Sequence, residues 1–294
     1  MSTTPTVHAF YRAMKDGQDD RVRSLIASCA GAIPTDEDGC ISSPLVNAAV
    51  IGRSDYVRWL LDAGADVEAR NTSPKVSTFH LRAYEAALWF EHAEIVALLE
   101  AAGTSLDFGA HLFRRESVVV EQLLDADPAR LRTRWIRPTF TLLHVAAELD
   151  SAELVEVFLE RGVDPNEADA DGHTPLRFAA RNTPALAVVA ALVRGGGDVN
   201  HRSRTGITPL TAACRHLESL PTVRWLLEHG ADPNLVPANG TSALQKAVNN
   251  EVPEMVELLL AHGADAGHRD KKGRTALDVA RAKRASAIVS LLGG

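Results

Sequence analysis

Three histidines and three glutamates of this 294-residue chain carry the chemistry of proton transfer or metal ligation: His80, His111, His216, Glu91, Glu116 and Glu148. An imidazole held beside a carboxylate can work as an acid–base pair or as part of a ligand set. Spacing alone does not bring these six together, and a histidine on a packed helix is ordinarily accommodated with one hydrogen bond. The sequence has no phosphate-binding loop, no Cys-x-x-Cys, no His-Glu-x-x-His and no nucleophile elbow. Gly195-Gly196-Gly197 reads as a helix end and turn. Catalytic residues, metal ligands and cofactors are therefore expected to be absent.

A second group of residues is suited to binding. Arg130, Arg132, Arg134 and Arg137 surround Trp135, and alternation at period two predicts an extended finger with charge on one face. Such a run is usually a solvated face. Here it stands out against a formal net charge of −7, which argues against generic nucleic-acid binding. Cys29, Cys40 and Cys214 are odd in number and lack ligand spacing, which points to a reducing compartment. No apolar run approaches the ~18 residues of a membrane span, and the start of the chain has no basic-then-apolar leader pattern. A soluble, cytoplasmic protein is expected. Six lysines among 31 basic residues suggest a GC-rich, bacterial genome.

The elements that must position these side chains repeat. Gly172-His173-Thr174-Pro175-Leu176, Gly206-Ile207-Thr208-Pro209-Leu210, Gly240-Thr241-Ser242-Ala243-Leu244 and Gly273-Arg274-Thr275-Ala276-Leu277 place their leucines 34, 34 and 33 residues apart. Within a unit, Thr174 can cap a helix through its hydroxyl, with Pro175 at the first helical position. Leu176, Ala179 and Ala180 then make a small apolar face that lets another helix approach closely. A second helix follows, as in Glu254-Met255-Val256-Glu257-Leu258-Leu259-Leu260, and Gly263 ends it. Helices this short must bury their faces on those of the next unit.

This pattern resembles the ankyrin repeat. Thr-Pro-Leu occurs at 174–176 and 208–210, Ser43-Pro44-Leu45 is close, and Thr141-Leu142-Leu143-His144-Val145-Ala146-Ala147 keeps the family histidine and paired alanines. Gly64-Ala65-Asp66, Gly162-Val163-Asp164, Gly197-Asp198, Gly230-Ala231-Asp232 and Gly263-Ala264-Asp265 mark loops. The resemblance implies an all-α solenoid of about nine helix–turn–helix units with β-turn fingers. They begin near Val7, Asp38, Ser77, Asp107, Pro138, Asp171, Thr205, Asn239 and Lys272. Residues 1–294 then form a single array: an N-terminal cap over 1–37, irregular units with long fingers over 68–140, regular units over 138–271 and a C-terminal cap over 272–294.

Departures from the pattern lie in the third and fourth units. Leu45 and its equivalent Tyr84 are 39 residues apart, so the finger around Asn71-Thr72-Ser73-Pro74, with Phe79 and His80 near its return, is lengthened as a tolerated insertion or a flap. Aligning Leu123-Leu124 with the paired leucines elsewhere puts Phe108 at the Leu176 position and His111 where Ala179 stands.

The resemblance further implies that the residues following the paired packing positions face a concave groove. They are Lys15-Asp16, Val50-Ile51, Trp89-Phe90, Phe113-Arg114, Glu148-Leu149, Arg181-Asn182, Arg215-His216 and Asn249-Asn250. One half is apolar and aromatic, the other rich in arginine. Trp89, Phe90, Phe113, Arg114, Trp135, Glu148, Arg181 and Arg215 are thus the expected partner-binding residues, since aromatic and arginine side chains dominate interface energetics. The aromatics could instead fill a gap in the irregular units. The expected function is a scaffold, monomeric, that binds another protein or peptide. The alternative is an enzyme or small-molecule binder with a pocket in the irregular units near His111 and Glu148. An RNA or DNA binder through the arginine finger ranks third, and no membrane partner is expected.

Overall fold

A computed structural model describes residues 6–29, 33–34, 43–71, 81–182, 186–215 and 217–293. Among them are eighteen α-helices and no β-strand. The lengthened finger with Pro74, Phe79 and His80, as well as Cys40 and His216, lies outside the described residues.

The chain divides into two compact units, Met1–Leu142 and Leu143–Gly294. In the first, α1 (Val7–Lys15) pairs with α2 (Asp19–Ser28), and α3 (Pro44–Val50) with α4 (Ser54–Asp62). Next come α5 (Ala83–Trp89) with α6 (Ala93–Ala101), α7 (Phe108–Phe113) with α8 (Ser117–Ala126), and a 3-10 turn over Pro128–Arg132. The second unit opens with α9 (Leu142–Glu148) and α10 (Ala152–Glu160), followed by α11 (Pro175–Arg181) and α12 (Leu186–Arg194). It continues with α13 (Pro209–Ala213) and α14 (Leu220–Glu228), α15 (Ala243–Asn249) and α16 (Pro253–Ala261), and ends with α17 (Ala276–Lys283) and α18 (Ser286–Leu291).

First helices stack on first helices and second on second: α1 on α3, α3 on α5 and α5 on α7 in one unit; α11 on α13, α13 on α15 and α10 on α12 in the other. The small residues make this possible. Ala48, Ala49, Ala86, Ala87, Ala146, Ala147, Ala179 and Ala180 are all fully buried, leaving room for helices to pack ~8–10 Å apart.

In seven of the helix pairs the turn between the two helices uses a left-handed residue. Gly17 and Gly52 supply it in the first two pairs, but Glu91, Arg115, Asp150, Glu251 and Arg284 adopt φ between 52° and 61° at the corresponding place. An L-residue there is strained by about 1–2 kcal/mol. At Gly52 glycine is required twice over, because its φ is +75° and a Cβ would lie 2.7 Å from the His92 ring.

Capping follows the sequence with one exception. Thr208, Ser242 and Thr275 accept the N–H of the third helical residue and are answered by Thr211, Gln245 and Asp278 in reciprocal boxes. Thr174 makes no such bond, and its hydroxyl is buried without a partner among the described residues. The reciprocal position there is Arg177, which has no acceptor to complete a box.

Between loops of the second unit an asparagine ladder ties neighbours together. Asn166 donates to Gly196 O and accepts from Asp198 N, Asn200 does the same with Gly230 and Asp232, and Asn234 with Gly263 and Asp265, all at 2.8–2.9 Å. The ladder stops where Gly267 replaces asparagine.

Candidate functional site

In the first unit the asparagine position is taken by Glu68. Its Oε1 still accepts the next loop's N–H, from Ser105 at 2.7 Å, but its Oε2 meets Arg82 Nη1 at 2.5 Å. Arg82 stands where other units have a capping serine or threonine. Fully buried, it donates to Glu85 from Nε (2.8 Å) and Nη2 (2.5 Å), and from Nη2 to Asp107 Oδ1 (2.9 Å). Arg70 closes the cluster on the other oxygen of Asp107 at 2.5 Å. Burial works against the arginine charge, yet hydrogen bonds and the charge of Glu85 raise its hold on the proton. Burial likewise opposes the Glu68 carboxylate, but the Ser105 hydrogen bonds and Arg82 bring it down to about 2. This is an internal ionic staple, not an open site.

Residues expected to bind a partner through the irregular units are partly core. Trp135 is 5% exposed and Phe113 3%. Their rings lie 6.1 Å apart, with Phe108 6.5 Å from the indole. Gly109 makes room, since a Cβ there would come within 2.5 Å of Trp135 Cη2. The expected extended, one-faced finger is also corrected: its first part is the 3-10 turn Pro128–Arg132, and the chain straightens only from Thr133. A large apolar ring turned inward gains more from burial than a charged strand gains from alternation.

The alignment of α7 needs correction too. Asp107 caps it through Oδ1 and Ala110 N (3.1 Å), and the helix has six residues where α11 has seven. Counted from the cap, Phe108 stands at the Pro175 position, and Leu112 and Phe113, both buried, stand at those of Ala179 and Ala180. His111 instead is partly exposed, its Nδ1 2.5 Å from Glu116 Oε2. Arg114 belongs to the same network: it donates to Tyr84 Oη (2.8 Å), pairs with Glu100 and lies 3.4 Å from Glu116. Burial, then the Glu100 hydrogen bond, push the Tyr84 phenol up to about 12. His111 thus has a carboxylate partner within its own unit, and Glu148 belongs to the other unit. Glu91 is exposed in its left-handed turn.

Trp89 and Phe90 remain accessible. Phe90 is 40% exposed, Trp89 partly so, with ring centroids 5.1 Å apart and the His92 ring stacked 6.3 Å from Phe90.

In the second unit, Arg181 (side chain 37% exposed) pairs with Glu148 at 3.2 Å, Arg215 is exposed, and Leu149 is buried. Two further cations were not among the expected site residues. Arg177 occupies the place of the family histidine, His144. His144 Nε2 donates to His173 O (3.0 Å) and Gln245, at the same place in its repeat, donates to Arg274 O (2.7 Å). Arg177 makes no such bond, and its Nε is buried without a partner among the described residues. Burial first, then the Arg181 charge, lower its hold on the proton to about 10. Lys246 Nζ reaches Thr211 O at 2.6 Å; burial lowers its pKa, and Arg215 and Arg177 add to the effect. The sequence signal was available: an arginine in a Thr-Pro-Leu-His slot.

Asp169, Asp171 and His173 bring one ligand atom each within 4.8 Å of one another. Asp169 Oδ1, however, already accepts the N–H groups of Asp171 (2.9 Å) and His173 (2.8 Å), which builds the finger turn. The Arg177 charge beside His173 further opposes a cation.

A family model described as ankyrin repeats (3 copies) matches residues 114–203, 143–237 and 220–293, and a single ankyrin repeat matches residues 42–72. The chain belongs to the ankyrin repeat family. Ankyrin repeats are generally protein–protein interaction scaffolds, and this is the class of function the membership supplies. No curated protein matches the chain. Among the described residues no helix is long and apolar enough to cross a membrane.

Proposed function

We propose that this protein is a recognition scaffold that binds a partner protein or peptide, through Trp89 and Phe90 in the first unit and through Arg181 and Arg215, with Glu148 orienting Arg181, in the second. The observation that carries this reading is the accessibility of large side chains at the end of first helices, where the packing alanines just before them are fully buried. A partly open tryptophan beside a 40% exposed phenylalanine, with no packing reason to be there, supports an interface anchor. Phe113 and Trp135 act from behind as core, and Arg114 is committed to its own ion network.

Trp89→Ala combined with Arg181→Ala should abolish capture of the partner from native extract while leaving the helical circular dichroism unchanged. Trp135→Ala is the control, expected to destabilise by ~3–5 kcal/mol as a core truncation. If Trp89→Ala unfolds the protein as Trp135→Ala does, the aromatic anchor is core and this reading falls.

The same proposal takes residues 1–294 as one array, to be tested by whether both units unfold in a single transition. It also places a monomer in a bacterial cytoplasm, a setting in keeping with the buried free thiols of Cys29 and Cys214.

A further inference from the structure

Four cations of the second unit follow the repeat. Arg181 and Arg215 occupy the same place in consecutive repeats, Arg177 lies one helical turn before Arg181, and Lys246 comes from the next first helix, α15. Among the described residues Arg177, Arg215 and Lys246 enter no ion pair within 4.0 Å, and Glu148 is the one carboxylate paired with the strip, at Arg181. This accumulation stands in a chain of net charge −7, so it is not a by-product of a basic composition. The fold even gives up a hydrogen bond to keep it, because Arg177 displaces the residue type that would bridge to the next finger. Burial first, and then the neighbouring arginines, weaken the charged forms of Arg177 and Lys246, and the opposing charges of Asp169 and Glu148 do not restore that of Arg177.

We infer that the segment recognised by the second unit is an extended acidic peptide whose carboxylates lie along Arg177, Arg181, Arg215 and Lys246. The inference rests on the scaffold reading and names the chemistry of its partner. A peptide fits better than a single anion because the cations are spread over α11, the end of α13 and α15. First helices stack ~8–10 Å apart, and an extended chain advances ~3.3 Å per residue. Carboxylates at every third residue therefore match the spacing of the repeats, with guanidinium groups offering paired donors to each. Glu218, Glu251 and Glu254 line a cleft with Arg215, so the strip is bordered by acidic side chains toward the turns between helices.

The test is fluorescence anisotropy at low and high salt with three labelled ten-residue peptides: glutamate at every third position, the same number of glutamates in one block, and the first peptide with glutamine replacing glutamate. The spaced peptide should bind at least tenfold more tightly than the glutamine peptide and several-fold more tightly than the block, and should weaken as salt rises. Arg177→Gln with Arg215→Gln should lose at least tenfold affinity for it at an unchanged or higher Tm, since neither side chain holds a hydrogen bond or ion pair among the described residues. Equal binding of the glutamate and glutamine peptides, or undiminished binding by the double variant, overturns the inference. So does displacement of the spaced peptide by inorganic phosphate at low millimolar concentration, which would mark a point anion site. If the double variant still captures the native partner that Trp89→Ala with Arg181→Ala loses, the acidic-peptide inference fails and the scaffold reading stands.

Discussion

Arg177→His should stabilise the second unit. At the two equivalent places His144 and Gln245 each donate to a finger carbonyl of the following repeat. The matching acceptor for residue 177 is Ile207 O, which accepts the Ser203 N–H at 3.0 Å and has a second lone pair to offer. Restoring that bond contributes ~1 kcal/mol. Removing the buried cation contributes as well. The folded pKa of Arg177, about 10, lies below that of an arginine in the unfolded chain, so the charged form opposes folding at every pH below that value. The penalty is fully present at pH 7 and fades only as pH rises through the folded and then the unfolded value. Arg177 is partly open to water, and with solvent screening the relief is discounted to ~1 kcal/mol. Against this stands the guanidinium over the Phe178 ring, 5.0 Å from its centroid, worth ~0.5 kcal/mol. The net gain is about 1.5 kcal/mol, or roughly 3–6 °C in Tm. Urea and thermal denaturation followed by circular dichroism would measure it, with Arg177→Met recovering the charge contribution alone. A midpoint for Arg177→His at or below that of the wild type would refute the reasoning. Equal midpoints for the histidine and methionine variants would show that the finger bond does not form.

Glu85→Ala leaves Arg82 as a fully buried arginine short of its nearest carboxylate and should cost ~3–5 kcal/mol by urea denaturation. Glu91→Gly relieves a left-handed turn at φ 60° and should raise stability by ~0.5–1 kcal/mol, the strain removed less the extra chain entropy of glycine. Glu68 is held down to about 2, below its unfolded value, so its contribution is present above the ordinary glutamate range and is lost as pH falls toward that value. Acid titration of stability should therefore be shallower in Glu68→Gln, and identical profiles would count against the Arg82 cluster.

The repeat was legible in the sequence because it rests on local rules. Thr-Pro-Leu, paired alanines and Gly-Ala-Asp loops each specify a cap, a small face or a turn within one unit, and the helices at Pro175, Pro209 and Ala276 start where those rules put them. Even the left-handed inter-helix turn could be placed, by aligning Gly17 and Gly52 with Glu91 and Glu251. What tertiary structure decided was which departures from the pattern are absorbed and which are left open. Phe113 read as a partner contact from its groove slot and Trp135 from its place in the arginine finger, but α7 is one residue short, and both rings are buried together beside Gly109. Arg114 looked available until Tyr84 and Glu100, from other helices, engaged it. Arg177 was not among the candidate site residues, and only its missing finger bond marks it as a cation without an ion pair among the described residues. Side-chain type and spacing fix the backbone repeat through interactions that span four residues. Burial and ion pairing of a given side chain depend on atoms thirty residues away, and only the packed structure brings these together.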